Sequence, residues 1–164
     1  MDITIIIPVK NEEESVMQLA REVSTALADS QFKWECLWID DGSTDDTFSR
    51  LVRICNDHAN HRHLQLDRNY GQSAAMAAGF KHAQGDVVVT LDGDGQNDPA
   101  DIPGLVARLI DQNADMVNGW RKNWEDSMVR KISSRIANGC RNRLTRENVR
   151  DAGCSIRAVR RCCV

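Results

Sequence analysis

Short β-branched apolar runs alternate along this chain with stretches whose apolar residues fall three or four apart. Thr4 to Val9 (T-I-I-I-P-V), Trp34 to Ile39 and Val87 to Leu91 read as strands buried on both faces, because a half-exposed strand would alternate apolar with polar residues. Pro8 lacks an N–H and is confined to the end of the first. His63 to Leu66 and Asp115 to Gly119 read as shorter strands. Between them, Val16, Leu19, Ala20, Val23 and Leu27 mark one helix face, and Phe48, Leu51, Val52 and Cys55 a second. Ile102, Leu105, Val106 and Leu109 mark another, started by Pro99. Asn11, with Glu14 three residues on, predicts a capping-box start for the first helix, and Ser43 with Asp46 opens the second. Ser73 to Ala83 is a helix of small residues that predicts close approach to a neighbour, with Gly85 as its stop.

Strands alternating with helices at this spacing predict a doubly wound, mostly parallel α/β sheet. Ligands of such sheets lie beyond the carboxyl ends of the strands. Three of those ends carry polar clusters: Pro8 to Glu12, Asp40 to Ser43, and Asp92 to Asp98. Neither a G-x-G-x-x-G nor a G-x-x-x-x-G-K-[ST] follows the first strand, which argues against dinucleotide enzymes and P-loop NTPases.

The third cluster, L-D-G-D-G-Q-N-D-P at 91–99, organises the rest. Residues i and i+2 at a strand end project to the same side, so Asp92 and Asp94 are expected to converge. Two crowded carboxylates repel unless a cation lies between them or one takes a proton. A hard divalent cation, Mg²⁺ or Mn²⁺, suits such oxygen ligands and keeps positions open for substrate phosphates. The plainer alternative is an Asp/Gly-rich turn whose side chains cap the next helix. A calcium-binding EF-hand loop fits poorly, since Asn97 stands where that loop needs glycine and Pro103 where it needs glutamate.

Composition adds bounds. The 164 residues suit one domain, and 41% apolar with 27% charged residues is ordinary for a globular protein. No apolar run approaches the ~18 residues of a membrane helix, and Met1-Asp2-Ile3-Thr4 lacks the basic start of a signal peptide. A cytoplasmic protein is expected, peripheral on a membrane at most. The six cysteines show no metal-ligand spacing and are expected to be reduced thiols. The net charge of −3 hides a segregation: residues 1–120 carry 9 Lys/Arg against 20 Asp/Glu, and residues 121–164 carry 12 against 4. Met128, Ile132, Ile136, Cys140 and Leu144 fall every fourth position among basic residues, predicting a basic amphipathic helix. Its basic face is either solvated surface or a contact for an anion: a phosphate, an anionic membrane, nucleic acid or the acidic half of the chain.

P-V-K-N-E at 8–12, D-D-G-S-T-D-D-T at 40–47, N-Y-G-Q-S-A-A-M at 69–76 and the 91–99 motif stand in the order found in the family 2 inverting glycosyltransferases. The chain resembles the polyprenyl-phosphate (dolichol-phosphate mannosyltransferase-like) members of that family, through R-K-I-S-S-R-I-A-N-G and D-A-G-C-S-I-R-A-V-R-R near its end. The resemblance implies a GT-A fold that takes a nucleoside-diphosphate sugar as donor. It implies one domain over 1–164, with 1–119 as the nucleotide-sugar and metal half and 120–164 as a basic acceptor-side segment. Pro8, Glu12, Asp40, Asp41 and Asp92 would line the nucleotide pocket, and Asp92, Asp94 and Gln96 would hold the metal. Asp94, Arg121, Arg130 and Asp151 would carry catalysis, the arginines near the phosphates and Asp151 on the acceptor side. Members of the family continue past this point, so the acceptor segment is expected to be incomplete and the fold C-terminally short.

The implied reaction moves a sugar to a polyprenyl phosphate. A saccharide acceptor, with Asp151 as base, is the related alternative; a nucleotide-sugar-binding module with little turnover is another. A nucleic-acid-binding protein using the basic helix leaves the acidic loops unexplained, and no nucleic-acid partner is expected. Self-association over an uncovered apolar face is a further expectation.

Overall fold

The computed structural model describes residues 1–119 and 156–163. The elements are β1 (Ile3–Val9), α1 (Glu13–Ala26), β2 (Trp34–Asp40), α2 (Thr47–Asp57), β3 (His61–Gln65), α3 (Gln72–His82) and β4 (Val87–Thr90), then α4 (Ile102–Asp111), β5 (Met116–Asn118) and β6 (Arg157–Arg160). The strands form one sheet in the order β3-β2-β1-β4-β6-β5. β1 pairs in parallel with β2 and β4, and β2 with β3. β6 runs antiparallel between β4 and β5. The mostly parallel α/β architecture is the one the alternation of runs predicts.

All seven residues of β1 are buried, because this strand lies inside the sheet with helices over both faces. Its side chains divide by alternation. Ile3, Ile5, Ile7 and Val9 join a core with Val16 and Leu19 of α1, Leu51 and Ile54 of α2, and Val106 and Leu109 of α4. Ile6 instead packs with Leu37, Ile39, Val88 and Ala75 on the opposite face, beside α3. Each such fully buried side chain contributes about 1.5–3 kcal/mol relative to exposure. The small-residue helix does come close: a Cβ on Gly79 would collide with the Ile6 side chain.

On the first face, His61 is 3% exposed. Its Nδ1 accepts the Trp38 indole N–H at 3.1 Å, and its Nε2 lies 3.0 Å from Ser24 Oγ. The indole can only donate, so the ring is the neutral tautomer with its proton on Nε2. Burial, with His58 nearby, lowers its pKa from 6.5 to about 4.

Two helix starts differ from the expected caps. α1 begins at Glu13 and takes no side-chain cap, while Asn11 adopts φ +53°. α2 begins at Thr47, not at Ser43. The loops after β1 and β2 lie side by side and cap each other: Asn11 N–H donates to Ser43 Oγ at 2.9 Å, and Thr44 N–H to Asn11 Oδ1 at 2.8 Å. Glu12 N–H donates to Thr47 Oγ1 at 2.8 Å, and Asp46 N–H to Glu13 Oε2 at 3.0 Å. Asn11 and Ser43 are two of the predicted capping residues, but they serve the neighbouring loop, and Glu13 and Thr47 act where Glu14 and Asp46 were expected.

β6 was not expected. Its sequence, R-A-V-R, is too short and too basic to read as a strand alone. Its place opposite β4 sets the outcome, since Ala158 pairs with Val89 inside the core. Among the described residues no helix is long and apolar enough to cross a membrane. The predicted basic helix over 128–144 lies outside the described residues.

Candidate functional site

The carboxyl ends of β1, β2 and β4 open onto a cavity of about 350 Å³. The end of β1 supplies Pro8, Val9, Lys10 and Glu12; the segment before and into α3 supplies Asn69, Gly71, Gln72 and Ala75; the acidic loop supplies Asp92, Gly93 and Asp94. Asp41, just past β2, completes the wall. Among the described residues, four carboxylates (Glu12, Asp41, Asp92, Asp94) border the cavity, and Lys10 is the cation beside them.

Each carboxylate is set differently. Asp41 is 4% exposed. It receives Tyr70 N–H on Oδ1 and Gly71 N–H on Oδ2, both at 2.8 Å. This two-pronged clasp ties the loop before α3 to the end of β2. Gly42 makes the contact possible: its φ is +65°, and a Cβ there would lie 2.5 Å from the Arg68 carbonyl carbon and 2.6 Å from Asn69 N. The D-D-G-S and N-Y-G-Q motifs are thus the two sides of one backbone contact.

Glu12 is reached by Ser15, one turn into α1. Ser15 Oγ lies 3.0 Å from Glu12 Oε2 and 2.9 Å from the Gly93 carbonyl oxygen. One hydroxyl hydrogen serves one acceptor at a time, so Ser15 joins the start of α1 to the acidic loop by exchange between them. Gly93 is buried against β1, where a Cβ would meet Val9 Cγ1 at 2.5 Å.

Asp92 Oδ1 accepts Gln72 Nε2–H at 2.9 Å. Asp94, exposed, accepts Gln96 N–H on Oδ1 at 3.0 Å within its own loop. Asp98 accepts Ala100 N–H at 2.9 Å and so caps the helical turn at 99–101. The plain turn chemistry is present at Asp94 and Asp98, while Asp92 is oriented by a different element.

Of the expected site residues, Pro8, Glu12, Asp41, Asp92 and Asp94 meet at one cavity. Asp40 and Gln96 are not among its lining residues. Asp40 is fully buried; its Oδ1 accepts Ser43 N–H at 3.0 Å, and its Oδ2 has no hydrogen-bond partner among the described residues. Strand alternation sends neighbouring residues to opposite faces, so Asp40 and Asp41 part here. Arg121, Arg130 and Asp151 lie outside the described residues. Lys10, Asn69 and Gln72 were missed as lining residues, although all three stand inside the quoted motifs.

Among the described residues no group of three or more His, Cys, Asp or Glu gathers as a metal-ligand set. The donor set still fits a hard cation, which takes one or two carboxylates together with water and substrate phosphates. Asp92 and Asp94, both at the cavity wall, are the two that would hold it.

Comparison with known proteins follows the same lines. The profile of the family described as Glycosyl transferase family 2 matches residues 4–162. The undecaprenyl-phosphate 4-deoxy-4-formamido-L-arabinose transferases of Salmonella choleraesuis (strain SC-B67) and Salmonella typhimurium are each 43% identical over 160 residues. Those 160 residues are 97% of this chain and 49% of each transferase, so the chain spans about half the length of these relatives. Glucosyl-3-phosphoglycerate synthase from Mycobacterium tuberculosis, solved with uridine diphosphate, shares the fold at TM-score 0.75 and 22% identity, over 98% of this chain and 57% of that one. S. aureus TarS 1-349, solved with UDP-GlcNAc, does so at TM-score 0.58 and 24% identity, over 76% of this chain and 37% of that one.

Proposed function

The chain belongs to glycosyl transferase family 2, and from that premise we propose that it is the donor-binding part of a metal-dependent, inverting transferase. It moves a sugar from a nucleoside diphosphate to a polyprenyl phosphate. The observation that carries the reading is the cavity wall, which among the described residues is lined by four carboxylates and one lysine. A diphosphate entering so acidic a cleft is repelled unless a divalent cation accompanies it. The 43% identity to undecaprenyl-phosphate sugar transferases supports the lipid acceptor.

In this reading Asp92 and Asp94 hold Mg²⁺ or Mn²⁺, with Gln96 in the same loop. When bound, the cation neutralises charge on the departing diphosphate. Pro8, Glu12 and the clasped segment at Asp41 enclose the nucleoside, and Lys10 adds positive charge beside the phosphates. A polyprenyl phosphate needs no catalytic base, because with a second pKa near ~6 it is largely ionised at pH 7. Positive charge must receive it instead, and that role falls to the basic stretch of 121–164, with Arg121 and Arg130 near the phosphates. Asp151 stands on the acceptor side. The domain division at residue 119 follows from this assignment, as does peripheral association with the cytoplasmic face of a membrane.

Thermal shift against UDP, GDP, CDP and ADP, each with and without Mn²⁺, tests the donor reading. A ligand that binds the folded state raises its stability by mass action. One nucleoside diphosphate is expected to stabilise the protein with Mn²⁺ present, and Asp94→Asn to abolish the metal-dependent increment while the fold persists. If no nucleoside diphosphate shifts the melt, or Asp94→Asn keeps the full increment, the reading falls. Donor binding without transfer to a short-chain polyprenyl phosphate in detergent would leave a nucleotide-sugar-binding module.

A further inference from the structure

We propose that Gln72 is a positioning residue, whose side-chain amide sets the orientation of the Asp92 carboxylate toward the divalent cation. The inference rests on the metal-dependent donor site proposed above and adds to it a residue outside the acidic motif. A second cavity, also about 350 Å³ and bordered by Met76, Phe80, Met116 and Val159 with Thr90 and Arg157, adjoins the first. Among the described residues, Gln72 and Asp92 line both cavities. They are also bonded to each other, Nε2 to Oδ1 at 2.9 Å. This pair is therefore the partition between the acidic cleft and its more apolar neighbour.

The bond has one polarity. A carboxylate only accepts, so the amide must turn its NH₂ to Asp92 and its Oε1 away. The amide is itself anchored. Gln72 follows directly on Tyr70 and Gly71, whose backbone N–H groups are both clasped by Asp41 at 2.8 Å. Orientation thus passes from the end of β2, through the start of α3, to the end of β4. Among the described residues the bond to the Asp94 carboxylate comes from Gln96 N–H in its own loop, whereas the bond to Asp92 comes from a residue 20 positions away. Loss of such a supporting partner costs roughly 10–100-fold in metal affinity.

Gln72 is exposed at the first position of a helix, so replacing it should leave the fold intact. The test uses Gln72→Met, which keeps the length and removes the amide, and Gln72→Ala. Mn²⁺ binding is followed by electron paramagnetic resonance in the presence of the nucleoside diphosphate that shifts the melt most. Calorimetry measures the same nucleotide without metal. Both variants are expected to bind Mn²⁺ about tenfold more weakly, with metal-free nucleotide affinity and melting temperature unchanged. Unaltered Mn²⁺ affinity in the variants overturns the proposal and leaves the donor site standing. Equal losses with and without metal also overturn it, since Gln72 would then contact the nucleotide itself. If the unaltered protein binds neither Mn²⁺ nor any nucleoside diphosphate, the donor-site reading fails first and this inference fails with it.

Discussion

His61 joins β3 to the interior through both ring nitrogens, one receiving the Trp38 indole N–H and the other facing Ser24 Oγ. Its pKa lies at about 4 in the folded protein against 6.5 unfolded, because burial disfavours the imidazolium. Below pH ~6.5 the unfolded chain takes up a proton that the folded protein refuses. Stability from this residue is therefore complete at neutral pH, falls as pH drops toward about 4, and levels off below it. The full span corresponds to about 3 kcal/mol. Urea unfolding at pH 7, 5.5 and 4 should show the loss, and His61→Gln should flatten that part of the profile. A variant whose stability falls as steeply as the original would assign the pH dependence to other groups.

Two loop motifs, D-D-G-S and N-Y-G-Q, meet only because Gly42 has no side chain. Gly42→Ala would carry a Cβ at φ +65° into the Arg68–Asn69 backbone. The left-handed conformation alone costs roughly 1–2 kcal/mol, and the collision adds to it by pushing the Asp41 clasp open. Lower stability and weaker nucleotide binding are expected together. Gly104, inside α4, has nothing within 4 Å of an added Cβ, and Gly104→Ala should stabilise by about 0.5–1 kcal/mol without touching the cleft. If the two substitutions behave alike in thermal melts, the close approach at Gly42 is not what sets the loops. This contact also marks how far the sequence could be read. Strands β1, β2 and β4 and helices α1, α2 and α4 were legible because buried parallel strands and amphipathic faces are written locally, and α3 through its run of small residues. The reciprocal caps were legible as residue types but not as partners, since Asn11 and Ser43 serve each other's loops. β6 was not legible, because R-A-V-R becomes a strand only when β4 and β5 are already beside it. Gln72 stood within a quoted motif, yet its bond to Asp92 spans 20 positions and depends on where α3 begins.

Across the whole molecule the charge is divided as the proposed chemistry requires. Residues 1–120 hold 20 acidic against 9 basic side chains, and residues 121–164 hold 12 basic against 4 acidic. An acidic cleft that admits a diphosphate with a divalent cation has no use for a large basic surplus in the same chain. A polyprenyl phosphate does, since its own phosphate and the anionic lipids around it are both negative. Each Lys or Arg near an anionic bilayer contributes about 1 kcal/mol, and the attraction fades within a Debye length of roughly 10 Å at 0.1 M salt. The protein should therefore sediment with vesicles containing about one-third phosphatidylglycerol at 50 mM salt, be released near 0.5 M, and ignore pure phosphatidylcholine. Asp94→Asn should not alter this, because the cleft and the basic stretch act on different anions. Steeply salt-dependent binding to duplex DNA or RNA, without vesicle binding, would instead place a nucleic acid on the basic stretch. Binding to neither would return those basic side chains to solvated surface, and the membrane-facing half of the proposed function would have to go.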